Sequence, residues 1–279
     1  MNGHFVKMQG AGNDFILIDN RRGIWPLDAL HLRRWCDRRL GVGADQLLVL
    51  EETRRPDADF RYRIFNADGG EVEQCGNGAR CMTRWVLERI FPGECVRFET
   101  MRAVIRGSIG KDGLVSVEMG MPILEADDLP FRTDGLSYCG GAWRGFGLSG
   151  TDELCVLAVG NPHAVRFGPM PEDEVFRRTG ERLQDHPAFP EGINFECVCP
   201  RSDSEADFRV WERGVGETPA CGSGACAAAV AGMLSGRFGR TVTFHTRGGI
   251  LRVRRPDSDG PVFLEGPAEY VFEGDLPLD

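Results

Sequence analysis

Two cysteines, Cys75 and Cys221, are the residues of this sequence best placed to do chemistry. Each is followed by Gly-x-Gly-Ala, so each is predicted to lie where a glycine-rich turn enters a helix. Unpaired backbone N–H groups and the positive end of the helix dipole stabilise a thiolate there and can lower its pKa. The same N–H groups form an anion site that suits a substrate carboxylate. Each motif therefore predicts a reactive thiol beside a carboxylate site.

A matched pair of such thiols suggests racemisation or epimerisation. If the two motifs flank one cleft, one thiolate takes the α-proton from one side while the other thiol donates a proton to the opposite side. Both are needed, because a single base returns the proton to the side from which it came. Helix-end N–H groups would stabilise the carboxylate as it becomes enolate-like. This chemistry needs neither cofactor nor metal.

The alternative for a helix-start cysteine is that it only fills core space, and for a single cysteine that is the commoner case. The pairing of the motifs favours catalysis for Cys75 and Cys221. We interpret the other eight cysteines as packing residues on helices or strands: Cys36, Cys81, Cys95, Cys139, Cys155, Cys197, Cys199 and Cys226.

The two motifs belong to an internal duplication. Residues 62–79 align without a gap with residues 208–225, and seven positions are identical, including the cysteine and both glycines of the motif. Upstream, Gly12-Asn13 recurs as Gly160-Asn161, and Gln46 falls opposite Asn194. Ordered recurrence of several blocks predicts two domains of similar fold, each about half of the chain.

Each half is predicted to be mostly strand around one central helix. Strands are expected at Phe15–Ile18 and Leu154–Val159. A helix over Leu30–Leu40 is expected to begin at an Asp28 N-cap and end at a Gly41 C-cap, and its counterpart runs from near Pro171 to near Leu183.

The cysteine motifs lead into the central helices, predicted at Ala79–Ile90 and Ala225–Leu234. The second is apolar all round and should be buried. Strands with glycine turns are expected in the tails of the two halves, over Val96–Met119 and Thr241–Val271.

Composition excludes several classes of protein. A length of 279 residues suits two domains, and a net charge of −9 disfavours nucleic-acid binding. No apolar run approaches the roughly 20 residues that span a bilayer, and the N-terminus lacks the features of a signal peptide. Ten cysteines without C-x-x-C, with only five histidines, indicate no metal site. We expect a cytoplasmic protein with reduced thiols, and no membrane partner.

The motifs resemble those of the diaminopimelate epimerase family. The matching segments run in order from Gly10 to Ala225: Gly10-Ala11-Gly12-Asn13-Asp14-Phe15, Gly43-Ala44-Asp45-Gln46, Phe65-Asn66-Ala67-Asp68-Gly69, residues 75–81, Gly160-Asn161-Pro162-His163, Asn194-Phe195, and residues 212–225 with both glycines of the second motif. Three positions depart from the family pattern. Gly70 and Ser223 stand where the family more often has Ser and Thr, and Pro219 replaces an apolar residue.

The resemblance implies interconversion of LL- and meso-2,6-diaminopimelate in lysine and peptidoglycan-precursor biosynthesis, without pyridoxal phosphate or metal. It implies an α/β (α+β) fold of two pseudo-symmetric domains, each a mostly antiparallel sheet wrapped around a central helix. The domains are expected at residues 1–120 and 121–264, with a C-terminal strand in 265–279 returning to the first. A homodimer acting on a small-molecule substrate is also implied.

The resemblance assigns roles to individual residues. Cys75 and Cys221 match the catalytic thiols, and His163 and Glu212 match residues that tune them. The positions matching substrate-binding residues are Asn13, Gln46, Asn66, Asn161, Asn194, Glu212 and Arg213, with backbone donors from Gly76-Asn77 and Gly222-Ser223.

The Glu212-Arg213 pair also makes chemical sense for an asymmetric substrate. Diaminopimelate has a distal amino-acid end, whose ammonium suits Glu212 and whose carboxylate suits the fork of Arg213. In the repeat, Asn66 aligns with Glu212 and Ala67 with Arg213. Only the second half therefore carries a charged pair at these two positions. Taken singly, the asparagines could instead be turn residues, Glu212-Arg213 a solvated pair, and His163 a core histidine.

Other functions compete with this one. A two-cysteine racemase acting on proline or hydroxyproline is disfavoured, because a small ring offers no distal end for Arg213. An isomerase with a carboxylate base is disfavoured by the presence of both cysteines. A thiol–disulfide redox protein using Cys75 and Cys221, and a non-catalytic amino-acid-binding protein, are alternatives from other classes.

Overall fold

The chain divides into two compact units in a computed structural model. The structure describes residues 2–73, 75–101, 103–124, 132, 137–139, 142–146 and 153–278. One unit comprises Met1–Glu118 with Glu265–Asp279, and the other comprises Met119–Leu264. The side-chain surroundings of Cys139, predicted to be a packing residue, lie outside the described residues.

The first unit wraps a curved set of strands around one helix. Its elements are β1 Asn2–Gly10, β2 Asn13–Asp19, α1 Ala29–Cys36, β3 Gln46–Glu51, β4 Phe60–Asn66, β5 Glu71–Val72, α2 Gly76–Arg89, β6 Cys95–Glu99, β7 Val104–Ile109, β8 Val115–Glu118 and β19 Glu269–Pro277. Strand β1 pairs antiparallel with β2 and with the C-terminal β19. Strands β2–β3 and β4–β6 pair parallel, and β3–β4, β6–β7 and β7–β8 pair antiparallel.

The second unit repeats this arrangement. Its elements are β9 Ser137–Cys139, β10 Ala142–Phe146, β11 Glu153–Val159, β12 Asn161–Phe167, α3 Asp173–Gln184, β13 Asn194–Pro200, β14 Glu205–Glu212, β15 Gly216–Thr218, α4 Gly222–Leu234, β16 Thr241–Thr246 and β17 Gly249–Arg254, with β18 Phe263–Gly266 at the end of the unit. Strands β12–β13 and β14–β16 pair parallel, and β11–β12, β13–β14 and β16–β17 antiparallel. The predicted mixed α/β fold, mostly strands with a duplicated pattern, is confirmed.

Helices α2 and α4 occupy the same place in their units. Helix α2 packs on β1, β2, β3, β6, β7 and β8, while α4 packs on β11, β12, β13, β16 and β17. Helix α4 is buried from Gly224 to Gly232, as its apolar sequence predicted. Both helices begin three residues before the predicted start, so the cysteines themselves are the N-caps.

The predicted start of helix α1 is confirmed, and its predicted end is wrong. Asp28 caps it by accepting backbone N–H bonds from Leu30 and His31. The helix ends at Cys36, and the cap is Asp37 rather than Gly41. The Asp37 carboxylate accepts the N–H groups of Arg39 and Leu40, at 2.7 Å each, which competes with continued helix.

No helix in the described part of the chain is both long and apolar enough to span a bilayer.

Candidate active site

The first half-site is built on the N-terminus of α2. Cys75 is the N-cap, and its Sγ accepts the Gly78 N–H at 3.4 Å. The sulfur lies 3.8 Å from the amide oxygen of Asn13, at the start of β2. A Cβ at Gly78 would lie 2.6 Å from the Tyr62 hydroxyl, so glycine allows the helix end to approach β4 closely.

Three adjacent strands bring polar side chains to this helix end. The register sets Gln46 of β3 beside Phe15 of β2 and opposite Asn66 of β4. The Gln46 amide N–H donates to Asn66 Oδ1 at 2.8 Å, while Gln46 Oε1 is buried without a hydrogen-bond partner among the described residues. In the first turn of α2, Asn77 is buried and its Oδ1 is likewise unpartnered in that part of the chain. Gln46 and Asn77 therefore each contain a buried acceptor that no described residue satisfies.

The second half-site is built on the N-terminus of α4. Cys221 is the N-cap and lies 3.5 Å from the hydroxyl of Ser223. Burial raises the pKa of Cys221 well above its ordinary value, and the nearby negative charges of Glu212 and Glu196 raise it further. Hydrogen bonds from Ser223 and from the Gly224 N–H oppose this rise. For Cys221 the expectation of a lowered pKa is therefore wrong, because desolvation outweighs the helix-end donors.

Glu212 and Arg213 lie at the end of β14 and in the turn that follows. The Glu212 carboxylate accepts a short hydrogen bond from the Thr218 hydroxyl across the β14–β15 hairpin. The Arg213 backbone N–H donates to Asn194 Oδ1 at 2.9 Å. Its guanidinium is about one-third exposed and donates to the Glu191 carbonyl at 3.3 Å. Backbone contacts therefore fix the start of the Arg213 side chain, while its charged end reaches solvent.

Asn194 uses both ends of its amide within the protein. It is buried, accepts from the Arg213 N–H, and donates to the Pro162 carbonyl at 3.0 Å. The structure thus gives Asn194 a clear part in holding the loop that carries Arg213.

A buried acid–imidazole pair lies behind the second helix end. His163 of β12 and Glu196 of β13 are both fully buried, with Nδ1 and Oε1 separated by 2.6 Å. The other ring nitrogen of His163 lies 2.9 Å from Asn161 Oδ1. A Cβ at Gly224 would lie 2.7 Å from Glu196 Oε1, so this carboxylate packs directly on the first turn of α4. His163 therefore links a buried acid to the polar side chain of Asn161.

Sequence reasoning missed the roles of Glu196 and Asp45. Glu196 is a lone acid in an otherwise apolar strand, Asn-Phe-Glu-Cys-Val-Cys, and a charge at a buried strand position was an available signal. Asp45 lies within a quoted motif, and its carboxylate accepts a hydrogen bond from the Asn13 amide N–H at 2.7 Å. That contact depends on a turn geometry that no spacing rule predicts. The described residues contain no group of three or more side chains able to hold a metal ion.

Solved structures with the same fold include enzymes of amino-acid isomerisation. The chain is similar to a phenazine biosynthesis protein of the PhzF family from Bacillus anthracis, with a TM-score of 0.65, 15% identity and 99% of each chain covered. It is also similar to a hydroxyproline epimerase from Agrobacterium vitis, with a TM-score of 0.66, 13% identity, and 99% of this chain and 91% of that one covered. At these identities the likeness defines the class by its fold alone.

Sequence comparison narrows the class to one family. A family model described as diaminopimelate epimerase matches residues 5–125 and 155–271. A diaminopimelate epimerase of Variovorax paradoxus is 44% identical over 286 residues, covering 98% of this chain and 97% of the relative. One of Azotobacter vinelandii is 44% identical over 278 residues, covering 98% and 99%. The chain belongs to the diaminopimelate epimerase family, a family of isomerases.

Proposed function

We propose that the protein interconverts LL- and meso-2,6-diaminopimelate, serving lysine and peptidoglycan-precursor biosynthesis. The observation that carries this proposal is the duplicated half-site, in which Cys75 and Cys221 each cap a central helix. Family membership supports the choice of substrate. The two compact units are the two repeat domains of the proposal, and each supplies one thiol.

The reaction is a proton transfer at one α-carbon. One cysteine, as thiolate, removes the α-proton, and the other, as thiol, protonates the planar carbon from the opposite side. The N–H groups of Gly76-Asn77 and Gly222-Ser223, in the first turns of α2 and α4, stabilise the negative charge that develops on the carboxylate. Because the thiols exchange protonation states, each turnover leaves the enzyme ready for the reverse direction. The chain's own residues supply every group in this scheme, and no cofactor or metal takes part.

The amide and charged side chains select the substrate. Arg213 binds the distal carboxylate and Glu212 the distal ammonium, since the guanidinium is exposed enough to pair with a ligand. Asn13, Gln46, Asn66, Asn161 and Asn194 complete the polar lining of the site. His163 tunes the thiol chemistry as part of its buried pair.

We also propose a homodimer in the cytoplasm. The cytoplasm is the expected compartment for a chain whose ten cysteines lack C-x-x-C and fall short of the density of a secreted disulfide scaffold. The homodimer rests on the family resemblance, and analytical ultracentrifugation tests it.

Incubation with LL-diaminopimelate in D2O tests the function directly. We expect solvent deuterium at the α-position together with growth of the meso isomer, both followed by NMR. Exchange with proline and none with diaminopimelate would favour a proline-type racemase, a function found on the same fold. Binding without exchange would favour a non-catalytic binding protein. Activity that depends on forming and breaking a disulfide would favour a redox protein.

A further inference from the structure

A chain of four charged side chains surrounds the turn that carries Asn13. Lys7 is buried, and its ammonium donates to Asp14 at 2.7 Å. Arg38 binds both Asp14 oxygens, at 2.7 and 2.9 Å, and donates to Asp45 Oδ1 at 2.7 Å. The cluster ends at Asp45, which is the member in contact with Asn13. We refer to Lys7, Asp14, Arg38 and Asp45 as the turn network.

The contact between Asp45 and Asn13 fixes which end of the amide is available. Asp45 Oδ2 accepts from Asn13 Nδ2 at 2.7 Å and from the Asp14 backbone N–H at 3.2 Å. A carboxylate only accepts hydrogen bonds, so the amide nitrogen of Asn13 must turn toward it. The amide oxygen then turns toward Cys75, where it lies 3.8 Å from the sulfur.

The repeat shows that the fold does not require this network. Strands β12 and β13 reproduce the parallel pairing of β2 and β3 in the same register. At the positions equivalent to Lys7, Asp14 and Asp45, the second unit has Val156, Pro162 and Ile193. There the matching asparagine, Asn161, is oriented by His163 instead.

We propose that Asp45 is a positioning residue for the reaction, holding Asn13 with its amide oxygen beside the Cys75 thiol. This inference rests on the proposed function and adds a residue to it. The reacting carbon of the substrate carries an ammonium group, which donates hydrogen bonds. The amide oxygen of Asn13 can accept one of them. Arg38 supports Asp45 by holding the other carboxylate oxygen, so that Oδ2 stays directed at Asn13.

A double-mutant cycle of Asp45→Asn and Asn13→Ala tests the proposal through kcat/KM for diaminopimelate. The new amide cannot satisfy Arg38, Asn13 and the Asp14 N–H together, because all three are donors. We expect Asp45→Asn to lower kcat/KM by about tenfold to a hundredfold, since misplaced substrate contacts are costly. The double variant should be no worse than Asn13→Ala alone, because Asp45 acts through Asn13.

Asp57→Asn is the matched control, because Asp57 forms an exposed pair with Arg55 in the same unit. It should retain wild-type kcat/KM. Losses that add in the double variant, or an unimpaired Asp45→Asn, would overturn the proposal. If Asp45→Asn does not fold, the same cycle with Arg38→Met decides, since Arg38 is largely exposed. A wild type without epimerase activity would instead defeat the proposed function.

Discussion

The two cysteine-capped helix ends share a backbone frame and differ in what lies around the sulfur. Cys75 is partly exposed, accepts an N–H from Gly78, and lies beside the neutral amide of Asn13. Cys221 is buried near the carboxylates of Glu212 and Glu196. The strand pairings around the two helices match, so the difference arises from side chains and not from the fold.

The same contrast continues behind the helices. The second glycine of each motif, Gly78 or Gly224, packs closely on a neighbouring strand. Behind Gly78 lie Leu48 and Tyr62, whereas behind Gly224 lies Glu196. Both halves thus have the close helix–strand contact, and one of them places a buried carboxyl group at it. Burial and negative charge raise the pKa of Cys221 and so favour its thiol form, the form that donates a proton.

Removing either sulfur gives the largest expected effect. Cys75→Ala and Cys221→Ala should each lower epimerisation by about 10⁴-fold, because the mechanism needs an acid and a base on opposite sides of the carbon. Turnover of LL-diaminopimelate followed by NMR measures the loss. The two-base mechanism requires both sulfurs. Wild-type turnover by either alanine variant would therefore contradict it. Cys95→Ala and Cys199→Ala, at strand cysteines of the two units, should remain active.

Exchanging the matched residues Leu48 and Glu196 tests the contrast through stability. Leu48→Glu places a carboxylate in an apolar site where Phe15 stands at the position of His163, so the free energy of unfolding should fall by about 3–5 kcal/mol. Glu196→Leu removes the acceptor of His163 Nδ1 and should cost about 1–3 kcal/mol. Urea unfolding measures both, with Leu48→Met and Glu196→Gln as conservative controls. Equal losses in the two exchanges would contradict the claim that His163 supports the buried acid.

Arg213 is the charged feature of the second half that Ala67 replaces in the first. Arg213→Ala should lower kcat/KM for diaminopimelate by an amount equal to about 2–5 kcal/mol of transition-state stabilisation, because the distal carboxylate loses its charge-assisted partner. Arg213→Lys should recover only part of this, since a point charge cannot form two parallel bonds. A side-by-side assay with diaminopimelate and proline checks the assignment. Efficient proline racemisation by the wild type, or an unimpaired Arg213→Ala, would overturn it.

The sequence predicted the two matching cysteine motifs, but it did not predict most of the differences between their surroundings. The gap-free repeat around Cys75 and Cys221 predicted a cysteine near the start of each central helix, because turn and helix signals are local. The pairing of Glu196 with His163 and the orientation of Asn13 could not be predicted, since both depend on contacts between residues distant in sequence. The sign of the pKa shift at Cys221 depends on burial, which a helix-start motif does not determine.

Glu212 gives the smallest and most specific test, because it raises the pKa of Cys221 through its charge. Glu212→Gln keeps the shape of the side chain and removes the charge, so the pKa of Cys221 should fall. Because pH 8 lies below that pKa, the variant should hold more thiolate and be alkylated faster than the wild type. Mass spectrometry of the native protein after brief iodoacetamide treatment reads Cys221 and Cys75 in one digest. The Cys75 rate provides an internal reference, and Glu181→Gln, at an exposed acid of the same unit, is the control. An unchanged Cys221 rate would mean that burial alone raises this pKa, and that the acids do not distinguish the two half-sites.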